Sequence, residues 1–576
     1  MLSYRKLAMR VLGRPLHTEG IDSPRPASQR AAALVLTAAM LTTLAAPAFA
    51  DIWHIENGDI TISAGESGNN VTQNNNTTYG DTNTIITNQN KDTASSNTVT
   101  IEAKDKDDKV EVTLKDVNID TSSRKEAAMS VTGSGNTTIK LDGDNHLTGG
   151  NGRSGIDSIG NLTIYGGEND SLTAKGGSGA DGSGGDGIHS GSLTIYGGTV
   201  NANGGNCGDG NYSDGGSGIR ISSRSLTIYD GKVNAKGGNG GDGNYSDGGN
   251  GISSSGSLAI SGGTVDAAGG NGEDGGYGIT SNGGVTVSDG TVTAKGGNGG
   301  SLSGGYGIHS FDPVAISGGT VTAKGGSGED GSGGSGISSR SGVAISGGTV
   351  NANGGVGKNG SGGSGIFSFG RVAISGGTVE AAGGVGSSRN SGSGIYSSGI
   401  DLSGSLELTA KAGSPNGRAL SQNGSELKLD DIKDKLGPGA KVTATDANGE
   451  TKQVSIPRPV EPEESSSSSD GGSAAPSAPA SPLPGLTVTD KDGQRISYTS
   501  TQSGNTLTVC VGRLTASFRI SLAALRQLRA EGIETITFQT ILCSTTLSVD
   551  ELLAMGGEDA EAVLTHRFTD SSLTVG

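Results

Sequence analysis

The pair Gly-Ile recurs along this chain at a nearly constant interval, and this period constrains the fold more than any other feature. Successive pairs lie 27 to 33 residues apart, and the last four intervals are all 29 residues. A fixed period of this size is typical of repeat proteins, in which each repeat is one small unit stacked on the next. Disorder is the first alternative for a chain with 106 glycines and 3% aromatic residues, but disordered sequence has no reason to keep a period. The isoleucines are Ile156, Ile188, Ile219, Ile252, Ile279, Ile308, Ile337, Ile366 and Ile395.

Each repeat contains three short runs of alternating apolar residues, separated by glycine and serine. Residues 307–326 contain, in order, Gly-Ile-His-Ser, then Val-Ala-Ile-Ser-Gly-Gly, then Thr-Val-Thr-Ala-Lys-Gly-Gly. Period-two alternation over a few residues predicts short strands, and the glycines and serines predict turns between them. One repeat therefore predicts one coil of three strands.

The apolar positions of successive repeats fall into columns. Such short strands cannot bury an apolar face alone, but three strands wound into a coil can point these side chains inward and stack on the next coil. Parallel strands lie about 4.8 Å apart, so nine coils would span roughly 40 Å. We therefore predict an all-β fold, a parallel β-helix of about nine glycine-rich coils within residues 98–455. One column contains Leu162, Leu193, Leu226, Leu258, Val285, Val314, Val343 and Val372, and another contains Ile164, Ile195, Ile228, Ile260, Val287, Ile316, Ile345 and Ile374.

The pattern Gly-Ile-x-Ser, followed by Ser-Leu-Thr-Ile-x-Gly-Gly-Thr-Val, is clearest in residues 185–200. It resembles the bacterial carbohydrate-binding β-helix family, and the resemblance covers roughly residues 98–430, including the lead-in runs at 112–120 and 138–145. The resemblance implies a right-handed β-helix that binds cellulose or acidic sugars and carries calcium. The family's acidic residue before Gly-Ile is kept here only as Asp186, which puts the family's calcium sites in doubt for the other coils.

Residues 1–50 have the layout of an export signal. Six basic residues within 1–30 precede an apolar stretch at 31–45, and residues 48–50 form a small-x-small cleavage site. A membrane anchor, the alternative, would need roughly 18–20 apolar residues. We expect cleavage after Ala50 and a mature chain that is secreted or held at the cell surface without a transmembrane segment.

The remaining chain divides by composition. Residues 51–97 are a lead-in or cap, and residues 456–485, rich in proline and serine, form an extended linker. We predict that residues 486–576 form a small α+β domain of unknown role, with a helix from a cap at Ser521 to a stop at Gly532 and another starting at Ser548. Cys510 and Cys543 could pair in an oxidising compartment.

The charge of the chain argues against nucleic acid as a partner. The whole chain has 41 basic and 58 acidic residues, and residues 1–50 hold six and two of these, so the mature chain has a net charge of −21. Such a chain repels nucleic acid and anionic membranes.

The motifs of several enzyme classes are absent from the sequence. No metalloprotease His-Glu motif, nucleophile elbow or P-loop occurs. Polysaccharide lyases and hydrolases can share a β-helix fold, but a hydrolase needs paired carboxylates on adjacent coils. Their Asn-Thr-Asp and Gly-His-Gly signatures are absent. His189 and His309 lie four coils apart and are expected to be exposed ladder residues. We therefore predict a protein that is not an enzyme.

Three tyrosines form the clearest candidate for sugar binding. Tyr165, Tyr196 and Tyr229 follow the inward isoleucine on three successive coils, so sugar rings could stack on an edge or face of this column. The alternative is that the tyrosines only stabilise neighbouring coils by aromatic pairing. Lys175 and Lys236, with Lys295 and Lys324, recur after the third strand and could attract uronic acids, although exposed lysines are usually only solvated. These tyrosines and the first two lysines are the predicted polysaccharide site.

Aspartates recur in the glycine-rich segments and are candidate calcium ligands. Stacked carboxylates repel each other unless a cation or water lies between them. The motif Gly-Gly-x-Gly-x-Asp resembles the calcium repeat of repeat-in-toxin proteins, but those repeats return every nine residues. The candidates are Asp181, Asp186, Asp209, Asp242 and Asp274.

Two functions of different classes therefore stay open. One is a secreted or surface carbohydrate-binding protein that acts on plant-wall or host glycans. The other is a structural stalk or adhesin that presents the C-terminal domain. Binding of the protein to glycans would separate the two.

Overall fold

The computed structural model describes residues 51–180, 182–208, 213–241, 245–387, 391–457, 485–490, 493–496, 498–503, 505–511, 516–540, 544–557, 560–566 and 571–575. The export signal and most of the linker lie outside these residues, so their predictions are not addressed by the structure. The all-β parallel β-helix is confirmed. Its stacked coils make about 15 turns, more than the predicted nine, because coils without the Gly-Ile pair precede the glycine-rich ones.

The first of three parallel sheets contains the strands that carry the Gly-Ile isoleucines. Each strand pairs in register with the equivalent strand one coil away, as Ile308 does with Ile279 and Ile337. The column begins with residues that lack the Gly-Ile motif, such as Ile60 and Val99. The strands are Ile60–Ala64, Val99–Glu102, Met129–Thr132, Ile156–Ser158, Ile188–Ser190, Ile219–Ile221, Ile252–Ser254, Ile279–Ser281, Ile308–Ser310, Ile337–Ser339, Ile366–Ala382, Ile395–Lys411 and Leu420–Gln422.

The second sheet follows a short turn and continues the same stacking. Its strands are Ile52–His54, Thr84–Thr87, Lys109–Lys115, Asn136–Asp142, Asn161–Tyr165, Ser192–Asn203, Leu226–Lys236, Leu258–Ile260, Val285–Val287, Val314–Ile316 and Gly342–Ile345. Ile366–Ala382 and Ile395–Lys411 run on through this sheet without a break.

The third sheet follows a corner that most repeats form at a pair of glycines, whereas residues 230–231 and 289–290 are Asp-Gly. The second glycine of the pair has a positive φ, +70° at Gly319 and +77° at Gly348, which favours glycine over residues with a Cβ atom. Ser192–Asn203 and Leu226–Lys236 turn this corner as continuous strands, and so do Ile366–Ala382 and Ile395–Lys411. The other strands are Asn118–Asp120, Asp144–Thr148, Ser171–Lys175, Thr264–Ala268, Thr291–Lys295, Thr320–Lys324, Thr349–Asn353 and Lys441–Thr445.

The three sheets enclose one apolar core that runs from Ile55 to Val442. The predicted columns point inward, and Ile164, Ile228 and Ile374 are all 0% exposed. Burying one such side chain contributes about 1.5–3 kcal/mol. Antiparallel strands and 3-10 helices lie at the two ends of the solenoid, at Asn69–Gln73, Asn76–Asp81, Ser425–Glu426 and Thr451–Ser455, and at Ile55–Asn57 and Leu429–Lys435.

The glycine-rich segments between the third sheet and the next coil are not loose loops. Each segment, which we call a glycine arm, runs outward and returns, as residues 325–336 do. Backbone amides link the runs of successive arms, with Gly326 N donating to Gly305 O at 2.8 Å and Gly334 N donating to Gly326 O at 2.9 Å. A Cβ atom on Gly326 would lie 1.8 Å from Gly297 O. Glycine is therefore required here by close backbone approach.

The described parts of residues 486–576 form two four-stranded sheets and two helices around a separate apolar core. The helices are α1, Leu522–Ala530, and α2, Val549–Met555, and both predicted serine caps are present: Ser521 accepts from Ala524 N and Ser548 from Glu551 N. One sheet contains Leu486–Thr489, Ala516–Ser521, Glu561–His566 and Ser571–Val575, and the other contains Thr499–Ser503, Thr506–Cys510, Thr535–Gln539 and Ser544–Ser548.

Two further sequence predictions concern cysteines and membrane spans. Cys510 is reduced, with its Sγ atom 3.5 Å from Gln539 Oε1, and Cys543 lies outside the described residues. Among the helices that the structure describes, none is both long and apolar enough to cross a bilayer.

Candidate functional site

The three predicted tyrosines form a continuous stack along the solenoid. The ring centroids of Tyr165 and Tyr196 are 4.7 Å apart with 4° between planes, and those of Tyr196 and Tyr229 are 4.8 Å apart with 9°. Neighbouring rings therefore cover both faces of Tyr196. A sugar could therefore meet Tyr196 only at the edge of its ring. Burial raises the pKa of the Tyr165 and Tyr196 hydroxyls.

The structure does not bring the predicted lysines to this tyrosine stack. Lys175 is the last residue of Ser171–Lys175, whereas Tyr165 precedes the turn that leads into this strand. At about 3.3 Å per residue, the strand separates its two ends by roughly 13 Å. The basic residue paired with Tyr165 is instead Lys140, one coil earlier. Lys175 and Lys236 are exposed and lie two coils apart in the third sheet, with Asn203 between them.

Of the five predicted calcium ligands, Asp181, Asp209 and Asp242 lie outside the described residues. Asp186 is 8% exposed and accepts a hydrogen bond from Ser217 N at 2.7 Å. Arg220 lies 3.7 Å from its other oxygen. Burial raises the pKa of Asp186. In the described parts of the chain, no three His, Cys, Asp or Glu side chains form a group that could hold a metal ion.

The motif Gly-Gly-x-Gly-x-Asp groups Asp274 with Asp242, but the structure places Asp274 in a different column. It aligns with Asp247 and Asp214, and these three residues on successive coils form what we call the acid ladder. Each Oδ1 atom accepts the backbone N–H of the equivalent residue one coil later: Asp247 N at 3.1 Å, Asp274 N at 3.1 Å and Ser303 N at 2.6 Å. The acid ladder therefore follows the return runs of the glycine arms.

The acid ladder borders a groove with a volume of about 520 Å³. Paired glycines such as Gly248 and Gly249 form its floor, between the acid ladder and a second row of side chains. Because the lining extends over six coils, from Ser183 to Ser332, the groove is roughly 24 Å long at about 4.8 Å per coil. The second row consists of Asp186, Ser217, Asn250, Tyr277 and Tyr306.

Aromatic rings dominate one end of the second row. Tyr277 and Tyr306 stack with centroids 5.2 Å apart, and His309 stacks on Tyr306 at 5.3 Å. His309 is only 7% exposed, so the prediction that it is an exposed ladder residue was wrong: the two tyrosines and the T-shaped ring of Phe311 cover it. Burial, with the nearby Arg340, lowers the pKa of His309 to about 4.

An ion pair lies near the other end of the groove, in the first sheet. His189 Nδ1 is 2.7 Å from Asp157 Oδ1, which raises the pKa of His189 and lowers that of Asp157. Asp157, His189 and Arg220 occupy the same position on three successive coils. One acidic residue is therefore followed by two basic residues along this column.

A sequence motif marks the acid ladder, but it was not recognised because Asp274 also fits the motif Gly-Gly-x-Gly-x-Asp. The string Asp-Gly-Gly-x-Gly-Ile occurs on three successive coils, at residues 214–219, 247–252 and 274–279. Counting back from the Gly-Ile pair places all three aspartates in one column. Counting forward from the preceding paired glycines places Asp274 with Asp242, because the coil from Ile252 to Ile279 is only 27 residues long.

No protein-family model matches this chain, and neither a curated protein nor a solved structure matches it. The resemblance to the carbohydrate-binding β-helix family therefore rests on the repeat residues alone. The groove and the two side-chain rows beside it are the features from which a function can be inferred.

Proposed function

We propose that the mature chain is an exported, non-catalytic carbohydrate-binding protein that holds an extended polysaccharide along the axis of its β-helix. The observation that supports this proposal is the groove, whose polar and aromatic rows repeat once per coil. A polymer with a regular repeat can make the same contact on several coils. Pectin, cellulose and host glycans all have such a repeat, and the family resemblance points to the same class of ligand.

The chemistry of the two rows suits a sugar chain. Carboxylates of the acid ladder accept hydrogen bonds from hydroxyl groups, and Asn250 can both donate and accept. Tyr277 and Tyr306 provide hydroxyl groups and ring edges beside these polar groups, because their ring faces contact each other and His309. The stacked glycine backbone below holds the rows in place before a ligand arrives, so binding orders few additional groups. Each contact would be weak, and affinity would grow with the number of coils engaged.

Acidic sugars would use a different surface. The lysines at the ends of the third-sheet strands, Lys175, Lys236, Lys295 and Lys324, are exposed on that sheet. We propose that uronate chains, if bound, contact this lysine row. Replacing Lys175 and Lys236 with Gln would then lower affinity for polygalacturonate and its sensitivity to salt, and unchanged binding would exclude the row.

Calcium remains part of the proposal, at aspartates of the glycine-rich sequence that lie outside the described residues. Asp186 already has Arg220 and a backbone donor as partners, so it has little need of a cation. Asp181, Asp209 and Asp242 are the remaining candidates with exposed-loop sequence contexts. Bound calcium there would stabilise the folded state by mass action.

A matched pair of variants tests where the sugar binds. The mature chain would be compared with Tyr277→Ser/Tyr306→Ser and with Tyr165→Ser/Tyr196→Ser/Tyr229→Ser for binding to cellulose, polygalacturonate and chitosan. We expect the groove variant to lose tenfold or more in affinity while the stack variant keeps it. The reverse result would assign the contact to the tyrosine stack and overturn the groove.

The structural stalk is the second candidate, and the continuous apolar core from Ile55 to Val442 favours it. A solenoid with one unbroken core is stiff without any ligand. A parent protein that binds none of the glycans, with or without calcium, would support the stalk and exclude the binding proposal.

A further inference from the structure

The groove contains more negative than positive charge. Asp186 and Arg220 lie close enough to offset one another, at 3.7 Å. The acid ladder has no such compensation, because no Lys or Arg of the described residues forms an ion pair with Asp214, Asp247 or Asp274. The groove therefore presents three carboxylates in a line that no described basic residue pairs with.

Each carboxylate of the acid ladder keeps one oxygen available. Its Oδ1 atom accepts a backbone N–H from the next coil, and no described residue donates to Oδ2. The carboxylates also repel each other. Burial raises the pKa of Asp247, and Asp274 and Asp214 on either side add to this rise. A ligand that placed positive charge along the ladder would relieve this repulsion.

The geometry favours a linear cation over a metal ion. Calcium takes six to eight oxygen ligands around one point, whereas these carboxylates lie one coil apart along a row. The tyrosines and Asn250 in the facing row add surface for a sugar ring, which a simple polyamine would not use. An acidic polysaccharide would meet like charge along the whole ladder.

We infer that the groove binds a polysaccharide with free amino groups, whose ammonium groups pair with Asp214, Asp247 and Asp274. This inference rests on the proposed function and specifies its ligand class. The sugar rings lie over the glycine floor toward Tyr277 and Tyr306. A neutral polymer of the same shape binds more weakly, because it brings no positive charge to the ladder.

The test uses the full mature chain and four probes of similar length: a glucosamine oligomer, its fully N-acetylated counterpart, oligogalacturonate and oligolysine. Two variants are compared. Asp247→Asn keeps the oxygen that accepts from Asp274 N but removes the charge. Asp266→Asn removes the same charge at an exposed position of the third sheet, outside the groove lining.

We expect the glucosamine oligomer to bind at least tenfold more tightly than the other three probes. Asp247→Asn should lower that affinity about tenfold, and Asp266→Asn should leave it unchanged. Equal or tighter binding of the acetylated oligomer or of oligogalacturonate would overturn the inference and leave the proposed function standing. Equal binding of oligolysine would overturn the sugar assignment. Binding of no sugar probe would overturn the proposed function itself.

Discussion

The three sheets and the glycine arms of each coil are held together in opposite ways. In the sheets, side chains fill the interior, and the columns of isoleucine, leucine and valine exclude water. In the arms, backbones pack directly on backbones, and amide hydrogen bonds connect Gly305, Gly326 and Gly334 in a zigzag. Buried side chains stabilise the sheets, whereas the arms can pack closely because glycine has no side chain.

This difference explains where a binding surface can form. The outward positions of the sheets carry side chains that stack on their own neighbours, as Tyr196 does between Tyr165 and Tyr229. The arms have a flat glycine floor, and the side chains at the edges of their return runs line the open groove above it. The groove is a consequence of the glycine packing.

The largest expected effect is in the sheets. Ile316→Asp places a charge in the apolar column at a position that is 1% exposed, and it should lower the free energy of unfolding by about 4 kcal/mol or more. The adjacent Ala315 points outward, so Ala315→Asp should change it by less than about 0.5 kcal/mol. Chemical denaturation measures both, and similar losses for the two variants would contradict the predicted interior.

The arms should be sensitive to a single methyl group. Gly326→Ala puts a Cβ atom 1.8 Å from Gly297 O, so the backbone must shift, at a cost of about 2–3 kcal/mol. Gly300→Ala in a neighbouring arm is the control, because its nearest contact would be 3.6 Å away. If thermal melting finds both variants equally stable, the arms do not pack as described.

The aromatic cover of His309 predicts a pH dependence. In the unfolded chain His309 protonates below its ordinary pKa of 6.5, whereas in the folded protein it stays neutral down to about pH 4. Unfolding therefore becomes easier as pH falls from 6.5 to about 4. His309→Gln should reduce the slope of melting temperature against pH in this window, and an unchanged slope would show that other groups cause it.

The tyrosine stack should make a modest contribution to stability. Tyr196→Ser removes two ring contacts at 4.7 and 4.8 Å and should cost about 1 kcal/mol. Thr194→Ser, on the same outward face of the strand, should be nearly neutral. Equal stability of the two variants in denaturant would show that the stack has no structural role. The tyrosines would then again be candidates for a contact with sugar.

Calcium should produce the smallest change. If Asp181, Asp209 or Asp242 binds it, millimolar calcium raises the melting temperature relative to chelator, and Asp181→Asn reduces that rise while Asp186→Asn changes it little. Identical melting curves in calcium and chelator would remove calcium from the proposal.

The sequence predicted the sheets well because their side chains alternate. Ile164, Ile228 and Ile316 sit where period-two alternation places them, and all are buried. The arms could not be predicted in the same way, because glycines carry no side chain whose pattern reveals a neighbour. The coil that begins at Ile60 was missed as well, since residues 51–97 were predicted to be a lead-in or cap and this strand lacks the Gly-Ile pair.

The candidate site was predicted only in part. Asp186 and Asp274 line the groove, but as neighbours of Arg220 and Asp247 and not as members of one calcium loop. Tyr277 and Tyr306 were visible in the sequence as occupants of the position before Gly-Ile. The stacking of Tyr306 against His309 could not be predicted, because the spacing of residues in the sequence does not show which rings contact each other.

Amide hydrogen exchange of the mature protein, with and without a glucosamine oligomer, tests the central claim that packed glycine arms form the ligand site. We expect the amides of Gly305, Gly326 and Gly334 to exchange as slowly as those of the sheets when no ligand is present. We also expect the ligand to slow exchange further within residues 213–306. Rapid exchange throughout the arms, or protection centred on Tyr165 and Tyr196, would contradict it.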